Sequence, residues 1–252
     1  MRQLQLNRTS QALTTLQAAA LASWLGFAAM LLAARAPAST GRLAGWWCMP
    51  GMTSTPRGGA GPLASALAGM PMWCVMVLAM TVPSAIPAAG HVSLNSLRPR
   101  AGRAVAEFVL VFLALWIAFG LLAMSALALL PALPRYLPLA ACLLLASAWE
   151  LTAVKRHAID RCHRGSPLPP SGPRATLGVA RFAWLNGSAC IASCWPAMLA
   201  MLLVPSSRLA WALGLTALMS YEKLTRKPRT ASRRAAGLLA AAAAGVALAL
   251  LV

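Results

Sequence analysis

At least five stretches of this sequence stay apolar for about 20 residues, the length that crosses the hydrocarbon core of a bilayer. A surface helix of a soluble protein carries an apolar stripe on one side only, whereas these runs are apolar all round. Hydrocarbon offers no partner to a backbone amide, so each run must close its hydrogen bonds within itself as a helix. Only 10% of the residues are charged, against about 25% in ordinary globular domains. The sequence therefore predicts an all-α, polytopic transmembrane helical bundle, a single integral membrane domain over residues 1–252 with the lipid bilayer as its first partner.

Seven spans are expected, near 15–34, 66–88, 104–130, 136–154, 178–204, 208–223 and 235–252; the last is marginal, and six spans is the alternative. Arg35 and Pro37 close the first, Pro83 and Pro87 end the second, and the fourth ends at Lys155. The first run exceeds a signal h-region and lacks a clear small-residue cleavage site, so it reads as a retained helix. The stretch 156–173, broken by Pro167, Pro169, Pro170 and Pro173, reads as a loop.

The net charge of +18 would point a soluble protein toward nucleic acid. Here the basic residues fall between apolar runs and no aromatic platform accompanies them, so no nucleic-acid partner is expected. They act instead as topology signals. With seven spans, 17 of the 22 basic residues lie on one side and 5 on the other. The positive-inside rule then places the N-terminus in the cytoplasm and the C-terminus outside.

The chemistry is carried by sulfur. The second helix presents Met72, Met76 and Met80 four residues apart, on one face. The fifth presents Cys190 and Cys194 at the same spacing, continued by Met198. Thiolates and thioethers are soft ligands that favour Cu(I), and two thiols about 6 Å apart can hold it in linear or trigonal geometry. Met and Cys also serve as plain packing residues, which leaves a membrane scaffold or small-solute permease as the alternative function. A thiol redox enzyme is a third class, although an i,i+4 disulfide in a helix is strained. Pro196 removes the amide that would bond the carbonyl of Ala192, and broken helices at membrane depth often line a site. The two helices run in opposite directions, so their sulfurs descend from the same outer surface in steps of about 6 Å per four residues. As neighbours they would form one ladder toward the midplane, with a methionine sulfur of the second helix within about 8 Å of a cysteine sulfur of the fifth, two metal–ligand bonds plus rotamer freedom.

Other residues carry weaker signals. Cys48, Met49 and Met52 gather in an outer loop beside Trp46 and Trp47. Glu150 is the deepest carboxylate and a candidate relay; Glu107 suits a helix start; Glu222 reads as interfacial, paired with Lys223 or a nearby arginine. His157, Asp160, Cys162 and His163 fit no zinc spacing and read, with His91, as solvated loop. No phosphate loop, dinucleotide fingerprint, zincin helix or nucleophile elbow is present in the sequence, and no enzymatic activity is expected.

Four segments together resemble a family. Trp73, Met76, Ala79, Met80 and Pro83 are similar to its second helix, and Trp149 to Cys162, with Thr152 and Lys155, to its lysine–cysteine segment. Gly187, Cys190, Cys194, Trp195 and Met198 look like its cysteine helix, and Glu222-Lys223 like its closing pair. The family is that of predicted metal-binding integral membrane proteins of bacteria, a domain of unknown function whose members are also described as copper chaperones. The resemblance covers roughly Met70 to Lys227, within a metal-binding-like core of 66–227. Ser193-Cys194 stands where the family has adjacent cysteines, Met80-Thr81 where it has two methionines, and Ala158 where it has a further cysteine. The resemblance implies a multi-pass protein of the bacterial cell inner membrane that binds copper as Cu(I) and delivers or moves it, with a copper-dependent partner enzyme as recipient. The metal residues expected are Met72, Met76, Met80, Cys190, Cys194 and Met198.

Overall fold

The computed structural model describes residues 62–129, 136–204, 208–225 and 228–248, with isolated helical positions between 14 and 29. Seven helices follow in order: α1 (Pro62–Asn95), α2 (Ala101–Ala128), α3 (Tyr136–Glu150), α4 (Ala153–His163), α5 (Pro173–Leu203), α6 (Arg208–Leu224) and α7 (Pro228–Leu248). No strand occurs among the described residues, as a chain of apolar runs requires.

Among the described residues, three helices are long and apolar enough to cross a membrane: α1 over Ala66–Asn95, α2 and α5. A fourth span arises if α3 and α4, which meet at 71°, form one broken crossing. This falls short of the seven expected. The predicted helix at 15–34 lies mostly outside the described residues. Helix α6 has 17 residues, and α7 begins with Arg229, Arg233 and Arg234 in its first two turns.

Two boundaries differ from expectation for identifiable reasons. Helix α1 does not end at Pro83 and Pro87 but runs through both to Asn95. Thr81 donates to the Val77 carbonyl at 2.8 Å and Ser84 to the Thr81 carbonyl at 2.8 Å, within the same stretch of helix. An apolar helix tolerates interior proline where neighbouring helices pack against it. His91 therefore sits in a helix rather than a loop, its Nε2 at 2.9 Å from the Ser166 carbonyl and its ring 5.4 Å from that of Phe182.

The second difference lies at the end of α3. The chain turns at Leu151 and Thr152 and starts a new helix where loop was expected. Thr152 has extended backbone angles, and its hydroxyl oxygen accepts the Lys155 amide at 3.2 Å, an N-cap that satisfies one of the new helix's free amides. His157, Asp160 and His163 are exposed on α4, while Ala158 and Ile159 are buried. The Cys162 carbonyl accepts from the Asn186 side chain of α5 at 3.2 Å.

Helix α2 is the shared partner of α1 and α5; α5 also holds α3 and α4, and α7 packs on α3. The α1–α2 seam is aromatic. The Trp73 indole donates to the Trp116 carbonyl at 2.9 Å and lies 6.0 Å from Phe119. Gly120 faces that indole so closely that a Cβ there would overlap the ring, which is why this position of a long apolar helix carries no side chain.

Candidate functional site

Helix α5 is the spine of the site. Its interior proline, Pro196, leaves the Ala192 carbonyl without its helical donor. The Trp149 indole of α3 fills that place at 2.9 Å, and its ring meets Trp195 edge-on at 5.4 Å. One turn earlier, Cys190 and Cys194 are 3% and 4% exposed. The Cys194 thiol donates to the Cys190 carbonyl at 3.1 Å, and the Ser193 hydroxyl donates to the same carbonyl at 2.7 Å. Both cysteines are free thiols.

The expected methionines are all buried. Met72, Met76 and Met80 of α1 and Met198 of α5 lie in one core cluster with Cys190 and Cys194, joined by Met201. Helices α1 and α5 meet antiparallel through side chains: His91 stacks near Phe182, and the Ser84 side chain lies against the Cys190 sulfur. Among the described residues no group of three or more His, Cys, Asp or Glu side chains has a metal-holding arrangement. The thiols and the thioether sulfurs offer a donor set suited to a soft, low-coordinate ion. Cys48, Met49 and Met52 lie outside the described residues.

Beside the thiols is a buried charge cluster that pattern reading placed wrongly. Lys155, 2% exposed, is ion-paired with both Glu150 and Glu222, which are 5% and 4% exposed; the bond to Glu222 is 2.7 Å. Glu222 is thus neither interfacial nor paired with Lys223. Adjacent residues of a helix point about 100° apart, so the carboxylate and the ammonium of Glu222-Lys223 go to different partners. Lys223 donates to the Cys190 sulfur at 3.4 Å. Lys155 is likewise no solvated terminus, because the turn at Leu151–Thr152 folds it back against α6. Glu150 Oε2 and Glu222 Oε1 are buried without a hydrogen-bond partner. A small, partly open cavity of about 10 Å³ adjoins Glu150, lined also by Trp149, Lys155, Ser193, Cys194 and Met219 among others; it has room for about one water. A wider hollow of about 580 Å³ between α6 and α7 is apolar apart from Tyr221 and contains none of the sulfurs. Glu107 pairs with Arg100 and Arg103, each at 2.9 Å, remote from the thiols along the sequence.

Lys155, Lys223 and Ser84 were not legible as site residues. The one signal available was placement: a lysine three residues after a capping threonine, and an acid–base pair closing an apolar run.

No curated protein and no solved structure matches the chain. Residues 70–247, which include every expected metal residue, match the model of a family (PpoB2) described as copper chaperone. With a soft-donor interior and a match over most of its length, the chain belongs to this copper chaperone family.

Proposed function

We propose that this protein is a multi-pass protein of the bacterial inner membrane that holds Cu(I) on Cys190 and Cys194 and passes it to a copper-dependent partner enzyme. Met76, Met80, Met72 and Met198 complete or feed the site. The observation that carries the reading is the common burial of two thiols and the methionine faces in one core, within the matched segment. A packing role explains buried methionine. It gives less account of a lysine ammonium directed at one of the thiols. Copper loading of the purified full-length protein under reducing conditions tests the proposal. About one Cu(I) per chain should remain after desalting, with sulfur as the nearest neighbour by X-ray absorption. A protein that retains no copper is the scaffold or permease of the alternative reading.

The proposed arrangement in the membrane is seven spans, N-terminus in the cytoplasm. Lys155 is a buried partner and Lys223 a half-buried one rather than surface charges, yet without them the basic residues still favour the same side. The linker 164–172 is then cytoplasmic. Cys162 is a poor reporter because it is partly buried against α5, whereas Ser171 is exposed. A membrane-impermeant maleimide applied to intact cells should label Cys48 and should reach Ser171→Cys only after the membrane is opened. Labelling of Ser171→Cys in intact cells reverses the orientation.

A further inference from the structure

We propose that Lys223 sets the ion selectivity of the thiol pair: its ammonium is the counter-charge that favours a soft monovalent ion, Cu(I) or Ag(I), over a divalent one such as Zn(II) or Cd(II). The inference rests on the reading of Cys190 and Cys194 as copper ligands and adds to it the residue that decides the charge of the ion taken.

Three observations carry it. The Lys223 ammonium lies 3.4 Å from the Cys190 sulfur, and Cys190 is buried. Among the described residues no carboxylate forms an ion pair with Lys223. The fully buried lysine, Lys155, is held by Glu150 and Glu222 and so contributes no free positive charge to the sulfurs. The position of Lys223 is also fixed from its backbone, since its carbonyl lies 3.0 Å from the exposed His163 imidazole of α4. Ser84, against the same sulfur, is neutral.

The charges then decide. Cysteine binds metals as thiolate, so both sulfurs lose their protons when an ion is bound. Two thiolates and a monovalent ion carry one negative charge, which the Lys223 ammonium cancels. Two thiolates and a divalent ion are already neutral, and the same ammonium, half-buried, is left uncompensated beside the buried sulfur, where an unpaired charge is costly. Soft ligands alone bias a site toward Cu(I). Lys223 adds a bias that depends on the charge of the ion and not on its softness, which is what separates Ag(I) from Cd(II).

The test uses the purified full-length protein in detergent, under anaerobic reducing conditions. Cu(I) and Ag(I) affinities are read by competition with a chromophoric chelator, and Cd(II) binding by its thiolate charge-transfer absorbance. Lys223→Gln should weaken Cu(I) and Ag(I) at least about tenfold and tighten Cd(II), because it removes the charge that serves one complex and burdens the other. Lys223→Arg, which keeps the charge, should behave like the parent. Affinities for both classes of ion that move together, or not at all, overturn the proposal, as does Lys223→Arg behaving like Lys223→Gln. If Lys223→Gln does not fold, Lys223→Met, with no polar tip, replaces it with the same expected results. If that too fails, Cd(II) in excess must not displace Ag(I) from the unsubstituted chain; displacement overturns the proposal. A parent that binds neither Cu(I) nor Ag(I) removes the copper reading itself, whereas an unchanged Lys223→Gln removes only the role of Lys223.

Discussion

Lys155→Met will destabilise the folded protein by about 3–5 kcal/mol, the cost typical of removing one partner from a buried ion pair. The substitution leaves Glu150 and Glu222 facing each other in an interior where each already has one oxygen without a hydrogen-bond partner. A folded domain is stable by only about 5–15 kcal/mol, so this change consumes much of the margin. The loss also has a structural address. Lys155 and His163 are the residues by which α4, bent 71° from α3, is fastened to α6, and Lys155 supplies the buried ion pair. Losing it leaves only the exposed His163 contact to hold that corner to the end of α6 that carries Lys223. Denaturation of the purified protein in detergent, parent against variant, measures the effect. The triple change Lys155→Met, Glu150→Gln, Glu222→Gln should recover most of the loss, because it removes the uncompensated charges along with the ammonium. A single variant within about 1 kcal/mol of the parent would show that the cluster is hydrated and contributes as weakly as an exposed pair.

Cys190→Ser with Cys194→Ser should abolish Cu(I) retention while the protein still inserts and folds. Serine keeps the size and the hydrogen-bonding capacity, so the bond from residue 194 to the Cys190 carbonyl, now 3.1 Å, can be remade by a hydroxyl. What disappears is the soft donor. Affinity should fall by more than the roughly 100-fold that loss of an outer hydrogen-bond partner of a ligand costs. Met76→Leu with Met80→Leu keeps the apolar volume and removes thioether sulfur from α1 only. If those methionines feed or complete the site, this second variant should bind Cu(I) more weakly than the parent and more tightly than the serine variant. A double serine variant that holds as much Cu(I) as the parent would assign the thiols to packing and leave the family's cargo to residues elsewhere, Cys48, Met49 and Met52 being the first to try.

The apolar runs by themselves determined that the long described elements are helices, because a segment that no water can solvate has only its own backbone to bond with. They also determined which sulfurs share a helix face, since four-residue spacing is a property of the helix and not of its surroundings. They did not determine where the helices stop. Pro83 and Pro87 read as a terminus because a proline removes a donor, yet α1 continues through both to Asn95 in the packed bundle. Thr152 illustrates the reverse case, a cap visible as a residue type but interpretable only once the chain is seen to bend there. The charged residues were least legible of all. Lys155 and Lys223 look alike in a list of loop cations, and Glu222 looks like a partner for its neighbour. Tertiary structure alone decides that one lysine joins two carboxylates and the other faces a thiol, because residues 67 positions apart are brought within 2.7 Å by a turn and a helix packing that no local pattern encodes.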